Sequence, residues 1–304
     1  MAAGLIFIGV VFVALSSVRL RQRTPVLVNE PPMAATAGVA VSIRRRLGLM
    51  FGIAVIAAIV LVLYGAADPA SFGLLLALAP GTATAIALLG FVAYPSPRHA
   101  ARSVRSASLE PRTPGRYLSR RAITGPAVAA AGLVLFLIYA GVTSSTDDAG
   151  LFRSIAREDD LGLQVAGPFP GWYYALPLIS LTVILAGLTA AAVWRIAAAP
   201  AEPDARMRTF DVYWRRRTSQ LVVLLSTVTL LAYTVGVLLF AGSATQRVAT
   251  AVDQSGEPVV HAGSMILGWV EIVCGLALLA VTGWLILGIA ERLRSFALAT
   301  KSHT

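Results

Sequence analysis

Seven stretches of this chain are long and apolar enough to cross a bilayer as helices, which no water-soluble fold accommodates. They are residues 2–18, 47–66, 72–94, 124–142, 173–194, 219–241 and 264–289. A hydrocarbon core of about 30 Å takes roughly 20 apolar residues per helical crossing. Helix is the fitting conformation, because unpaired amides and carbonyls cannot face lipid and runs this continuous lack the alternation of barrel strands. Composition agrees: 57% of residues are hydrophobic and 13% charged, against about 25% charged in an ordinary soluble domain. The run at 2–18 is followed by Arg19, Arg21 and Arg23, with neither basic residues before it nor a small-residue cleavage site after it. It is therefore expected to stay as a helix rather than leave as a signal peptide.

Charge then orients the helices. Of 25 Lys and Arg residues, six lie between runs one and two, seven between three and four, six between five and six, and three in the tail. Only Arg153, Arg157 and Arg247 fall in the alternate connections. The basic side is expected to be cytoplasmic, with the amino terminus outside and the carboxyl terminus inside. The formal charge of +10 thus reads as topogenic and gives no reason to invoke nucleic acid. The first partner implied is the lipid bilayer itself, and the expected location is the cell membrane, as a multi-pass protein. No cofactor is implied.

The expected architecture is an all-α polytopic bundle of seven helices, one peripheral and six forming a core of three hairpins. Its parts are a first helix (1–23), a Pro-containing cytoplasmic linker (24–46), the core (47–290) and a tail (291–304). Helices two, four and six each follow a basic cluster: Arg44, Arg45 and Arg46; Arg120 and Arg121; Arg215, Arg216 and Arg217. The stretches Tyr117–Arg121 and Tyr213–Arg217 align, either as a remnant of duplication or as clusters that topology alone would place there. The 143–172 connection is the longest. Within it Leu151, Phe152 and Ile155 predict a short helix after Asp147 and Asp148, and Trp172, Tyr173 and Tyr174 suit an interfacial belt.

Several chemistries lack their residues. Lys301 is the one lysine, so no membrane helix offers a Schiff-base amine for retinal. Cys274 is alone, which forbids an intrachain disulfide, and suits a small buried role. His99, His261 and His303 are scattered, without metal-ligand spacing, and no metal site is expected. The acids Asp147, Asp148, Glu158, Asp159 and Asp160 do not form an EF-hand loop, because Ala149 and Leu151 would occupy ligand positions. No His-Glu-x-x-His, Gly-x-Ser-x-Gly or Walker motif occurs, so no catalytic residue is named.

Glu271 is the one ionisable residue well inside a run, and such residues are costly in lipid. Gly268, Gly275 and Thr282 follow one another at seven-residue spacing, and Glu271 shares their face, which predicts that it points into the bundle. Counting inward from each helix's outer end at 1.5 Å per residue places Glu271 level with Tyr233 and Thr234, with Ser180 and Thr182, and with Pro80, Gly81 and Thr82. Pro80 removes a helical donor. An interrupted helix facing an intramembrane acid is a recurrent design of transporter sites. Two roles for Glu271 stand open: a proton- or cation-linked site, or a neutral side chain bonded to Tyr233 or Thr234 that only joins helices.

The segments Gly167–Tyr174 and Asp211–Arg217, with an Ala- and Arg-rich, Lys-poor composition, resemble uncharacterised integral membrane proteins of high-GC Gram-positive bacteria. The resemblance covers roughly the second half of the chain and implies no activity. Three functions are weighed: a transport-associated membrane subunit or small permease with its site at Glu271; a scaffold or sensor subunit docking a cytoplasmic or membrane protein partner through the basic loops; and an outward-facing lipid-linked transferase using the acidic loop.

Overall fold

The computed structural model describes residues 33–94, 113–159, 162–199, 208–252 and 258–301. The apolar run 2–18 lies outside the described residues, as do Asp160, His99 and His303. The other six runs map onto six helices: α1 (Met33–Ala67), α2 (Leu74–Ala93), α3 (Arg120–Val142), α4 (Trp172–Ala198), α5 (Arg208–Val248) and α6 (Ala262–Lys301). Each is long and apolar enough to span a membrane. Large apolar side chains stand exposed around the girth, among them Ile56, Ile59 and Leu63 on α1, Val183 on α4, and Trp269, Val273 and Leu287 on α6. An apolar belt of that extent marks a lipid-facing surface.

α1 begins at Met33, so residues 33–46, expected as part of a linker, are helical. Ala, Val and Ile fill its first turns. α1 turns into α2 through Asp68, whose carboxylate accepts the Ala70 amide, and through Phe72 and Gly73 at positive φ (49° and 80°). Ser119 caps α3 by accepting the Ala122 amide at 3.3 Å. The aligned residue Arg215 instead sits inside α5, so the two Tyr-to-Arg stretches occupy unequal places, and topology accounts for them better than duplication.

α5 is the hub. It packs on α6, α3, α4 and α2, and 72% of its spanning window is buried against 28% for α6. Its sequence explains this. Thr218, Ser219, Ser226, Thr227, Thr229 and Thr234 make it the helix with most hydroxyls, and all six are buried. Lipid is as apolar as leucine, so hydroxyl-bearing faces find their partners between helices. Ser226, Thr227, Thr229 and Thr234 also donate to carbonyls one turn earlier, which removes the cost of an unbonded hydroxyl.

The bundle is not purely helical. At one end lie two small antiparallel sheets, β1 (Ser145–Thr146), β2 (Phe152–Asp159) and β3 (Gly162–Ala166), and β4 (Thr250–Val252) with β5 (Pro258–Val260). The helix expected at Leu151, Phe152 and Ile155 does not form: Leu151 precedes β2, and Phe152 and Ile155 lie within it, with Ile155 opposite Ala166 and Arg157 opposite Gln164. The reason is local. The Asp147 carboxylate accepts the amides of Ala149 and Leu151, Gly150 takes φ 75°, and the chain doubles back instead of coiling. The opposite end carries the described arginines of the basic clusters. These are termed the sheet end and the basic end.

Candidate functional site

Glu271 is buried, as its glycine-spaced face predicts, but its surroundings differ from the expected layer. It lies in the α5–α6 seam, where its carboxylate accepts a 3.3 Å hydrogen bond from Thr245. The helices nearly touch there. A Cβ at Gly242 would stand 2.7 Å from the Gly268 carbonyl and 3.0 Å from the Glu271 Cβ. Tyr233 and Thr234 are not its partners: Tyr233 donates to the Leu78 carbonyl of α2 at 3.1 Å, and Thr234 to Leu230 of its own helix. Thr245 is twelve residues from Tyr233 along α5, about 18 Å at helical rise. The depth count fails because α5 does not end at Gly242 but runs on to Val248, its polar last turns covered by β2 and β3.

The remaining members of that layer separate as well. Ser180 is exposed and donates to Leu176 of its own helix, whereas Thr182 is buried and donates to Leu178. Pro80 does not break α2, which continues to Ala93 with Thr82 half-buried. Beside it the Tyr233 ring presses on Gly81 so closely that a Cβ there would collide with it. Deeper along the same side of α5, two hydroxyl pairs join helices: Thr84 with Thr229 at 2.7 Å and Thr189 with Ser226 at 2.6 Å. Sequence reasoning passed over both. The signal was the spacing of Ser226, Thr229 and Tyr233, which puts three polar groups on one helical face.

Above Tyr233 a cavity of about 390 Å³ extends toward the sheet end. Leu76, Ala77 and Pro80 of α2 wall it on one side, Gly236 and Phe240 of α5 on another, and Phe169 and Pro170 close its top. Its lining is almost wholly apolar. Leu76 and Phe240 on its rim are also exposed on the bundle surface, so the cavity is reached from the side. Tyr174 contributes to the wall while its hydroxyl holds the Phe72 carbonyl at 2.6 Å, and Tyr173 holds that of Ser71 at 3.0 Å. With Trp172 packed on Gly141, these aromatics tie the start of α4 to the α1–α2 turn and the end of α3.

The basic clusters divide between interior and surface. Arg215 is fully buried: its Nε and Nη2 donate to the Asp211 carboxylate at 2.9 and 3.0 Å, and Nη1 donates to the Ile196 and Ala197 carbonyls at 2.7 and 3.1 Å. Those carbonyls belong to the last turn of α4, which lacks helical donors. Arg46 likewise reaches the Phe91 carbonyl at 2.5 Å, and Arg195 the Tyr94 carbonyl at 3.3 Å, at the end of α2. Three arginines thus cap two helix carboxyl ends, where a cation also suits the helix dipole. Arg45, Arg120, Arg121 and Arg216 are exposed and Arg217 is half-buried. Arg44 lies on α1, and its side chain is outside the described residues.

At the sheet end Asp147 pairs with Arg153, whose guanidinium stacks on Phe72 at 3.6 Å. The Leu151 amide, with Arg153 and the Ala149 amide adding to it, holds the Asp147 carboxyl below its ordinary range against the opposing effect of desolvation. Asp148 and Glu158 are exposed. Asp159 ends β2, about 23 Å from its start at the rise of a strand. Asp147 and Asp148 thus precede β2 in the chain, and Asp159 lies at its far end. Among the described residues no three His, Cys, Asp or Glu side chains converge as a metal ion would require. No protein-family model matches the chain, nor does any curated protein or solved structure.

Proposed function

We propose that the protein is a multi-pass plasma-membrane protein of the transport class, a small permease or the membrane subunit of a transporter, handling an apolar or amphiphilic solute. The basic end faces the cytoplasm in this reading, following the positive-inside rule, and the sheet end faces outward. The observation that carries it is the apolar cavity beside Pro80 and Tyr233, which is within the size range of small-molecule pockets, about 300–1,000 Å³. It opens sideways between Leu76 and Phe240, where a lipid-soluble molecule arrives from the outer leaflet. This moves the site from Glu271, which sits in a glycine seam, to the opposite stretch of α5.

Gly236 supplies the test. It lines the cavity, and a Cβ there meets nothing within 4 Å, so Gly236→Leu fills the space without a clash. Cells expressing the wild-type chain are expected to accumulate a lipophilic cationic dye differently from cells lacking it, and Gly236→Leu at equal membrane abundance is expected to abolish that difference. A variant that handles the dye as the wild type does would sink the cavity as the site.

A second reading, a scaffold subunit docking a cytoplasmic protein, draws support from exposed Arg120, Arg121 and Arg216. Its substitutions belong at those three positions, because Arg215 is internal. The third reading, an outward-facing lipid-linked transferase, would rest on either Asp147 with Asp148 or Asp159 with Asp160, and activity surviving alanine at all four would end it.

A further inference from the structure

A second groove lies at the basic end, where α3 and α6 flank α5 without closing over it. It measures about 440 Å³. Its floor is Gln220, Val223, Leu224 and Thr227 of α5. Along its length the character changes. Arg121, Gln220, Glu291 and Arg292 gather at the end nearer the cytoplasm, and Pro126, Leu224, Trp284 and Leu285 line the remainder. From Arg292 to Trp284 is eight residues of α6, about 12 Å, and Trp284 and Leu287 are themselves exposed to the lipid-facing side.

The charge at the polar end is unbalanced. Arg217 lies one turn before Gln220 on the same face of α5, and it repels Arg292 electrostatically. Its Nε is buried without a hydrogen-bond partner. A buried donor of that kind, set among like charges, is stabilised by an acceptor that carries negative charge. Among the described lining residues Arg121 and Arg292 stand against Glu291, and with Arg217 beside Arg292 they leave a net positive mouth on an apolar slot.

From this we infer that the groove binds an anionic phospholipid of the cytoplasmic leaflet, its phosphate at Arg121, Arg217 and Arg292 and one acyl chain laid along Leu224, Trp284 and Leu285. The inference rests on the cytoplasmic orientation of the basic end, not on the solute of the outer cavity. A phosphodiester supplies the charged acceptor, and its position at the membrane interface matches the change from polar to apolar along the groove. A free phosphate would satisfy the mouth and leave the slot without purpose.

The test compares phosphatidylglycerol with phosphatidylcholine, titrated into delipidated full-length protein and counted as bound lipid by native mass spectrometry. The wild type is expected to hold one phosphatidylglycerol under activation that strips phosphatidylcholine. The Arg121→Gln, Arg292→Gln double variant is expected to weaken that lipid roughly 25-fold, about fivefold for each interfacial charge. Gly288→Leu, at a lining position where a Cβ meets nothing within 4 Å, is expected to block the chain and weaken the lipid with all charges intact. Equal retention of the two lipids overturns the inference. Competition by inorganic phosphate, or a Gly288→Leu variant that binds like the wild type, shows a bare anion site and overturns it too. Unaltered thermal midpoints in lipid-free detergent identify the losses as losses of binding and not of fold.

Discussion

α5 presents two faces built on opposite chemistry. Toward α2 and α4 it offers side chains that reach across: Tyr233 to Leu78, Thr229 to Thr84, Ser226 to Thr189 and Arg215 to the end of α4. Toward α6 it offers glycine at the closest approach, where Gly242 and Gly268 bring two backbones into contact beside the Thr245 to Glu271 hydrogen bond, and apolar packing of Leu231, Val235 and Leu238 on Leu278 and Leu285 elsewhere. The first face fixes register, since each of these polar groups reaches a particular partner on the neighbouring helix. The second fixes distance and is intolerant of added atoms. Polar contacts between membrane helices average only about 0.6 kcal/mol, because the unassembled helices also find partners. The strength of the reaching face therefore concentrates in Arg215, and that of the bare face is spread along its glycines.

Substitutions can break this contrast in order of severity. Arg215→Met leaves two α4 carbonyls without their donor and Asp211 with the Trp214 indole but no cation, and is expected to cost about 3–5 kcal/mol, read as the largest fall in thermal midpoint in detergent. Arg216→Gln, one residue on and exposed, is expected to change stability by no more than about 0.5 kcal/mol. Equal effects would refute the interior role of Arg215. Gly268→Leu pushes a side chain against Gln246 and the Gly242 carbonyl at distances under 3 Å, and is expected to cost about 1–3 kcal/mol or more. Gly236→Leu, on the same hub but facing the cavity, serves as its tolerant counterpart. Smallest is the Thr84 and Thr229 pair. Valine at each and at both, analysed as a double-mutant cycle, is expected to give a coupling of about 0.6 kcal/mol and no more than about 1.7.

Six helices were legible because the bilayer sets a minimum length that few other folds imitate. The burial of Glu271 was legible for a related reason: glycines seven residues apart mark one face, and the acid shares it. Its neighbours were not. Ser243, Thr245, Gln246 and Arg247 lower the hydropathy beyond Gly242 and imitate a helix end, yet the helix continues to Val248, with Arg247 donating to the Gly167 carbonyl just past β3. Leu151, Phe152 and Ile155 could be read with helical period, but three residues cannot outweigh the turn that Asp147 and Gly150 impose. A count of arginines gives the sign of a surface and not the carbonyl that each one reaches, so the separation of Arg46 and Arg215 from Arg45 and Arg216 emerged only in three dimensions.

The capping arginines bear on how such a chain is made. During insertion, before α2 and α4 are packed, Arg46, Arg195 and Arg215 stand as hydrated cations beside apolar segments, and basic residues in such positions bias which side of a membrane a segment keeps. Once the bundle assembles, the same guanidiniums withdraw from water and close the ends of neighbouring helices. A lysine in place of Arg215 would serve the earlier stage equally well. It could not serve the later one, because an ammonium is a point charge, whereas the planar fork of arginine engages a carboxylate and two carbonyls together.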